Sequence, residues 1–157
     1  MKHLESFGIE VGKGRYHEET NYSLALLYNL IESRIAFYLA DFRLTTAKFN
    51  VLMVVKHLGG QDGMSQVEIS KRLIVTPSNM TRLLDKLEKE DLIFRSVLKG
   101  DRRVNTIQIT PKGSKLLDRA WPGYSAILKD FISPLEPGEQ KALSGLLVKW
   151  LGALIGK

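Results

Sequence analysis

Between residues 18 and 42, apolar side chains recur at steps of three and four: Leu24, Leu27 and Tyr28, Ile31, Ile35, Tyr38 and Phe42. That spacing lines one side of an α-helix. A second stripe, Tyr22, Leu26, Leu30 and Phe37, lies beside the first. So wide an apolar surface predicts burial on two sides, against the helix's own domain and against something else. Residues 1–15 contain glycines and no periodicity, and read as a flexible arm.

A second helix opens at Thr45, a good N-cap, with Leu44 before it and Phe49 placed to form a hydrophobic staple. Phe49, Leu52, Met53 and Lys56 follow at helical spacing, and Gly59-Gly60 ends the run. Gln61-Asp62-Gly63 is a turn. Ser65 and Glu68 then form a capping box for a short helix reaching about Leu73, with Met64 and Ile69 as its staple. After a tight connection, Thr76 caps a third helix and Pro77 sits at its first position, where a missing N–H costs nothing. Val75 and Met80 staple it. Its stripe is Met80, Leu83, Leu84 and Leu87, and it runs to about Glu90.

Beyond it the period changes. Residues 93–98 and 104–110 are rich in β-branched residues and flank Lys99-Gly100-Asp101-Arg102-Arg103, so they predict a β-hairpin. Thr110-Pro111 repeats the cap and opens a further helix, which Pro122-Gly123 is expected to kink or interrupt. Pro134 and Pro137 precede a last helix striped by Leu143, Leu147, Trp150 and Leu154, and widened by Leu146, Leu151 and Ile155.

Composition narrows the chemistry. The chain has 157 residues, 44% of them hydrophobic, which fits a folded chain and excludes disorder throughout. The net charge of +6 fits a polyanionic partner, although placement matters more than the total. There is no cysteine, which excludes disulfides, thiolate metal sites and a thiol redox sensor. No signal-peptide core and no membrane-length apolar run is present, so a soluble cytoplasmic protein without membrane association is expected. Residues 8–14 approach a phosphate loop in composition. They have one residue too few between glycines, Gly14 where Ser or Thr is required, and no preceding strand. His3, His17 and His57 lack metal-ligand spacing. No cofactor, no metal site and no enzymatic activity are expected.

The informative stretch is residues 65–110: short helix, tight turn, capped helix, hairpin. In a helix-turn-helix the second helix enters the major groove and its first residues reach base edges. Opposite the stripe of the third helix lie Ser78, Arg82, Asp85 and Lys89, with Thr81 on one flank and Asn79 and Lys86 on the other. Short hydrogen-bonding groups and a guanidinium suit base edges and phosphates. Asp85, one turn from Arg82, is expected to orient it. Ser65 and Thr76, at the two helix starts, complete the candidate DNA contacts on the helices. The hairpin adds Lys99, Arg102 and Arg103, with Arg95 on the strand below. Arginine suits the negative potential of a narrow minor groove, and Asp101 is placed to hold the loop.

The runs 64–73 and 76–88, with Asp101-Arg102-Arg103 and Ile109-Thr110-Pro111-Lys112-Gly113, resemble the MarR family of bacterial regulators. The resemblance covers nearly the whole chain. It departs at Asp91, where the family usually has glycine, and in the arm at residues 8–14, which lies outside the pattern.

The resemblance implies a mainly α fold with a small β-hairpin wing, in which a winged helix-turn-helix domain joins a helical dimerisation domain. The expected organisation is an arm at 1–15, a DNA-binding domain at 45–110, and a dimerisation domain made from 16–44 and 111–157. The expected partners are double-stranded DNA and a second copy of the chain. The expected function is a ligand-responsive repressor acting on a pseudo-palindromic operator. The resemblance further implies a small aromatic ligand in a cleft between the dimer helices and the winged domain, for which Tyr38, Met53 and Trp121 are candidates. Packing is the competing reading for each of them. The alternative function is a winged helix used for protein–protein assembly.

Overall fold

The computed structural model describes residues 2–73, 77–98 and 101–156. In chain order the elements are α1 (Lys2–Glu5), α2 (Tyr16–Ala40), α3 (Thr46–Leu58), β1 (Met64–Ser65), α4 (Gln66–Leu73), α5 (Pro77–Lys89), β2 (Ile93–Leu98), β3 (Asp101–Ile109), α6 (Pro111–Ile132) and α7 (Pro137–Ile155). The architecture is mainly helical with a small antiparallel sheet, as the sequence predicts. The chain divides into two compact units, Met1–Tyr124 and Ser125–Lys157.

Local chemistry accounts for the element ends. The Thr45 hydroxyl accepts a hydrogen bond from the Lys48 N–H at 3.2 Å and caps α3. Leu44 and Phe49, the stapling pair, are both buried. The Ser65 hydroxyl accepts from the Glu68 N–H, and the Glu68 carboxylate accepts from the Ser65 N–H at 2.9 Å, which completes the capping box of α4. Thr76 and Val75 lie outside the described residues.

The end of α5 resolves the departure at Asp91. Asp91 has φ of 58°, the left-handed conformation that glycine adopts without penalty. Its N–H donates to the Glu88 carbonyl at 2.9 Å, and the Leu92 N–H donates to the Leu87 carbonyl at 2.9 Å. This is the Schellman arrangement, with aspartate in the glycine position. Aspartate tolerates that conformation better than most residues with a Cβ. Arg43, with φ of 55°, closes α2 by the same bonding pattern, through Ala40 and Leu39.

Thr110 ties α6 to this corner. Its hydroxyl donates to the Asp91 carbonyl at 2.8 Å and accepts from the Gly113 N–H at 2.9 Å. A Cβ on Gly113 would collide with the Leu92 carbonyl oxygen, so only glycine permits this approach.

Four features differ from expectation. A third strand, β1, pairs antiparallel with β3 through Met64↔Ile107 and Ser65↔Thr106, giving the order β1-β3-β2. Two residues carry no readable alternation, so this strand exists only through its tertiary partner. Next, β3 starts at Asp101 and not at Val104, because its backbone pairs with β2 up to Leu98↔Asp101, past an irregularity at Val97/Leu98. Finally, α6 runs without interruption through Pro122. Proline removes one backbone donor there, but packing on α2 holds the helix: the Tyr38 hydroxyl donates to the Ala120 carbonyl at 3.1 Å, and Gly123 leaves room for the Tyr38 ring. The segment read as an arm contains α1 and buries Ile9.

The core of the first unit is built from Leu39, Phe49, Val51, Leu52, Ile69, Met80, Leu84, Leu87, Ile93, Ile107 and Leu117, all nearly inaccessible. It anchors α3, α4, α5 and the sheet, and thereby sets which face of α5 remains in solvent.

Candidate nucleic-acid interface

Helix α5 is seated by Met80, Leu84 and Leu87, each fully buried, with Leu83 half-buried beside them. The period of 3.6 then leaves Ser78, Asn79, Thr81, Arg82, Asp85, Lys86 and Lys89 exposed. The side chains expected at base edges therefore share one solvent-facing surface. Neither Arg82 nor Lys86 makes an ion pair with another described residue, so both cations are available to a polyanion.

Two predicted residues also serve the motif's internal geometry. Ser65 holds the capping box, and its hydroxyl donates to Glu68 at 2.8 Å. The two hydrogen bonds from Ser65, the backbone one first, keep the Glu68 carboxyl below its ordinary pKa. The Thr81 hydroxyl accepts from the Gln66 amide at 2.7 Å, which links α4 to α5. Local sequence gives no sign of this role for Gln66, because its partner lies fifteen positions away on another helix.

Asp85 corrects a sequence expectation. It does not orient Arg82. Its carboxylate accepts from Arg95 of β2 at 2.6 Å, and Glu88 takes the other side of the same guanidinium. The Arg95 N–H also donates to Glu88 at 3.2 Å. Partial burial alone would lower the Arg95 pKa; the Asp85 hydrogen bond and the charges of Glu88 and Asp85 outweigh it and hold the group above its ordinary value. Arg95 is thus a brace between α5 and the wing strand. Its single positive charge is shared between two carboxylates and offsets one of them on this side of α5. The sequence groups Arg95 with the wing cations because nothing local reveals a cross-element partner.

The hairpin follows α5 directly. Its strands pair from Ile93↔Ile109 to Val97↔Asn105, and the Ser96 and Thr106 hydroxyls lie 2.9 Å apart across them. Lys99 lies outside the described residues. Asp101, Arg102 and Arg103 belong to β3 by their backbone, and their side chains lie outside the described set.

Each of the three candidate effector residues has a place in the packing of the first unit. Tyr38 is committed to the Ala120 carbonyl and stacks on Phe42 at 5.2 Å. Met53 is half-buried in α3. Trp121 is exposed on one side and lies 5.6 Å from Tyr124. Tyr124 in turn stacks on Phe49 at 4.6 Å, and burial, followed by the charge of Glu32, pushes its phenol above the ordinary pKa. Among the described residues no group of three or more His, Asp or Glu side chains is placed to hold a metal ion, and no helix is long and apolar enough to cross a membrane.

Known proteins share both the sequence pattern and the architecture. An uncharacterized HTH-type transcriptional regulator of Bacillus cereus is 35% identical over 113 residues, 71% of this chain and 73% of the relative. The MepR–DNA complex of S. aureus superposes with a TM-score of 0.77 at 26% identity, covering 85% of this chain and 96% of MepR. CouR from Rhodococcus jostii RHA1, bound to p-coumaroyl-CoA, superposes with a TM-score of 0.76 at 19% identity, covering 88% of this chain and 92% of CouR; at that identity it supports the fold alone. The MarR family model matches residues 44–104, the stretch that holds the α4–α5 motif and most of the wing. The exposed polar face of α5, the hairpin behind it and these matches agree: the chain belongs to the MarR family of DNA-binding transcriptional regulators.

Proposed function

We infer that this chain is a ligand-responsive repressor of the cytoplasm, acting as a homodimer on a pseudo-palindromic operator. The observation that carries the reading is the face of α5, where Ser78, Asn79, Arg82 and Lys86 are exposed on a helix locked from behind by Met80, Leu84 and Leu87. The N-terminal residues of a recognition helix reach base edges, and backbone N–H groups at its start favour phosphate. On this reading Ser65 and Thr76 contact the DNA backbone, while Arg102 and Arg103 of the wing reach the minor groove with Asp101 holding the loop.

The dimer rests on apolar surface that one chain leaves uncovered. No residue of α7 is buried, although Leu143, Leu146, Leu147, Trp150, Leu151, Leu154 and Ile155 all lie on it. In the first unit, Phe37 of α2 is 85% exposed and Leu30 is 59% exposed. Large uncovered apolar faces on two helices mark an interface, and a symmetric partner is the commonest occupant.

Two recognition helices must match grooves ~34 Å apart, so a small change in their separation releases DNA without unfolding. MepR in its DNA complex and CouR with p-coumaroyl-CoA bound are proteins of the same fold carrying those ligands. The assembly-module alternative would need no exposed cationic reading face. Selection of bound duplexes from a random pool, followed by fluorescence anisotropy over a salt series, tests the proposal. A pseudo-palindromic consensus with affinity falling as salt rises is expected. Recovery of no consensus, with weak binding to every duplex, would remove it.

A further inference from the structure

Two adjoining clefts of about 440 and 460 Å³ share Leu92, Lys112 and Leu116 in their walls, and so form one open groove on the first unit. Leu92, Pro111 and Leu116 give it an apolar floor, which Phe42 extends. Cations stand along the rim. Lys112, Lys115 and Arg119 follow at steps of three and four, which puts them on one face of α6. Arg43, just past α2, and Lys89, at the end of α5, flank the other end.

The acids of the groove are already committed. Glu90 is held by Lys48 at 2.5 Å, and Asp91 lies 3.9 Å from Lys112. Asp118, next to Arg119 in the chain, pairs with Lys56. Arg43, Lys89, Lys115 and Arg119 are exposed and make no ion pair with another described residue. Lys115 and Arg119, four positions apart on a helix, repel each other, and an anionic partner relieves that repulsion. The groove is also remote from the DNA-reading end. Helix α5 offers its first residues to DNA and its last, Lys89, to the groove. A rise of about 1.5 Å per residue puts the two ends of this 13-residue helix roughly 20 Å apart.

We propose that this groove docks an acidic, amphipathic segment of another protein. An aromatic or aliphatic side chain of the segment packs on Leu92 and Leu116, and flanking carboxylates meet Lys115, Arg119 and Arg43. A phosphate backbone would use the cations and leave the floor uncovered; a protein segment uses both, as an interface with an apolar centre and a polar rim does. On the regulator reading, on which this step rests, the segment binds while the operator is held, and the chain joins DNA to a second protein.

The test uses the full chain, with and without operator duplex, and a short synthetic peptide carrying phenylalanine and leucine at helical spacing and glutamate elsewhere. One control peptide replaces the apolar residues with serine, and the other replaces glutamate with lysine. Anisotropy of labelled peptide gives affinity, and NMR shifts of leucine methyl groups give location. The acidic amphipathic peptide is expected to bind saturably, to shift the Leu92 and Leu116 methyls, and to bind the operator-loaded chain equally well. The serine peptide should bind at least tenfold more weakly, and the lysine peptide not at all. Lys115→Glu with Arg119→Glu should weaken the acidic peptide at least tenfold, while operator affinity stays within threefold and the dimer persists. Equal binding of the serine peptide would make the groove a plain polyanion site and overturn the proposal. Displacement of the peptide by operator would place it on the face of α5 and overturn it too. So would loss of the dimer in the double variant, which would mean that a second copy covers the groove. Unchanged peptide affinity in that variant, or no binding of the acidic peptide, has the same consequence. A native chain that binds the peptide in the groove but no duplex overturns the regulator reading alone.

Discussion

Helices α5 and α7 both carry apolar stripes at helical spacing, yet they end in opposite states. In α5 the stripe residues Met80, Leu84 and Leu87 are fully buried, and polar side chains face solvent. In α7 no residue is buried, and Leu143, Leu147, Trp150 and Leu154 remain exposed to different degrees. The difference lies in what surrounds each helix. Around α5 the chain supplies α3, α4 and β2, enough to cover one face. The apolar stripe of α7 has no such cover within its own unit. A stripe predicts that something will cover a face; it does not say whether the cover comes from the same molecule.

The strongest way to break the comparison is to make the α7 stripe polar. Leu147→Glu with Trp150→Glu is expected to abolish the dimer, with unfolding or aggregation of the monomer. Losing the second half-site contact should reduce operator affinity by a factor on the order of 10²–10⁴. Sedimentation equilibrium of native and variant chains at micromolar concentration checks this. A native chain that sediments as a well-folded monomer would show that the exposed stripe has no second copy as its partner.

Within the α5 region, Arg82→Ala should cost about 1–3 kcal/mol per half-site and relax the base preference at the contacted position. Competition between operator and random duplex is the measurement. An equal loss on both would reduce Arg82 to a phosphate contact. Arg103→Ala is expected to cost less per half-site, to weaken any preference for A·T-rich flanks, and to lower the salt slope while fold and dimer persist. Asp101→Ala should give a milder version of that defect. Unchanged affinity and slope in Arg103→Ala would mean the wing does not read DNA.

The Arg95 brace sharpens the comparison further. Arg95→Gln leaves Asp85 and Glu88 unneutralised beside the DNA, and a roughly tenfold loss of affinity is expected, equivalent to about 1.4 kcal/mol. Adding Asp85→Asn and Glu88→Gln should recover part of that loss, because the repulsion is removed even though the brace is not restored. No recovery would assign the whole effect to wing position. The smallest effect concerns stability alone. Asp91→Gly should stabilise the chain by about 0.5–1 kcal/mol in urea unfolding, because glycine adopts the left-handed conformation freely; the greater entropy of the unfolded chain offsets part of the gain.

Much of the DNA-reading motif was legible locally. Thr45, the Ser65/Glu68 box and the Thr110-Pro111 pair announce their helix starts by side-chain chemistry within three residues. The stripe of α5 fixes its outward face by periodicity alone. The bond from Gln66 to Thr81 and the pairing of Arg95 with Asp85 were not legible, since each joins residues on different elements. The effector candidates show the same limit. Tyr38 and Trp121 are candidates by residue type, and only the packed structure shows that the Tyr38 hydroxyl donates to the Ala120 carbonyl, 82 positions away.

By itself, the sequence determined where helices begin, which face of α5 is polar, and that its two ends carry more apolar surface than one core requires. These are consequences of local hydrogen bonding and of the 3.6-residue period. Tertiary structure alone decided that β1 exists, that α6 passes through Pro122 unbroken, that Asp91 closes a helix in glycine's place, and that Asp85 serves the wing and not Arg82. Each of these outcomes depends on a partner distant in the chain, whose position is set only once the core around Phe49, Met80 and Leu117 has formed.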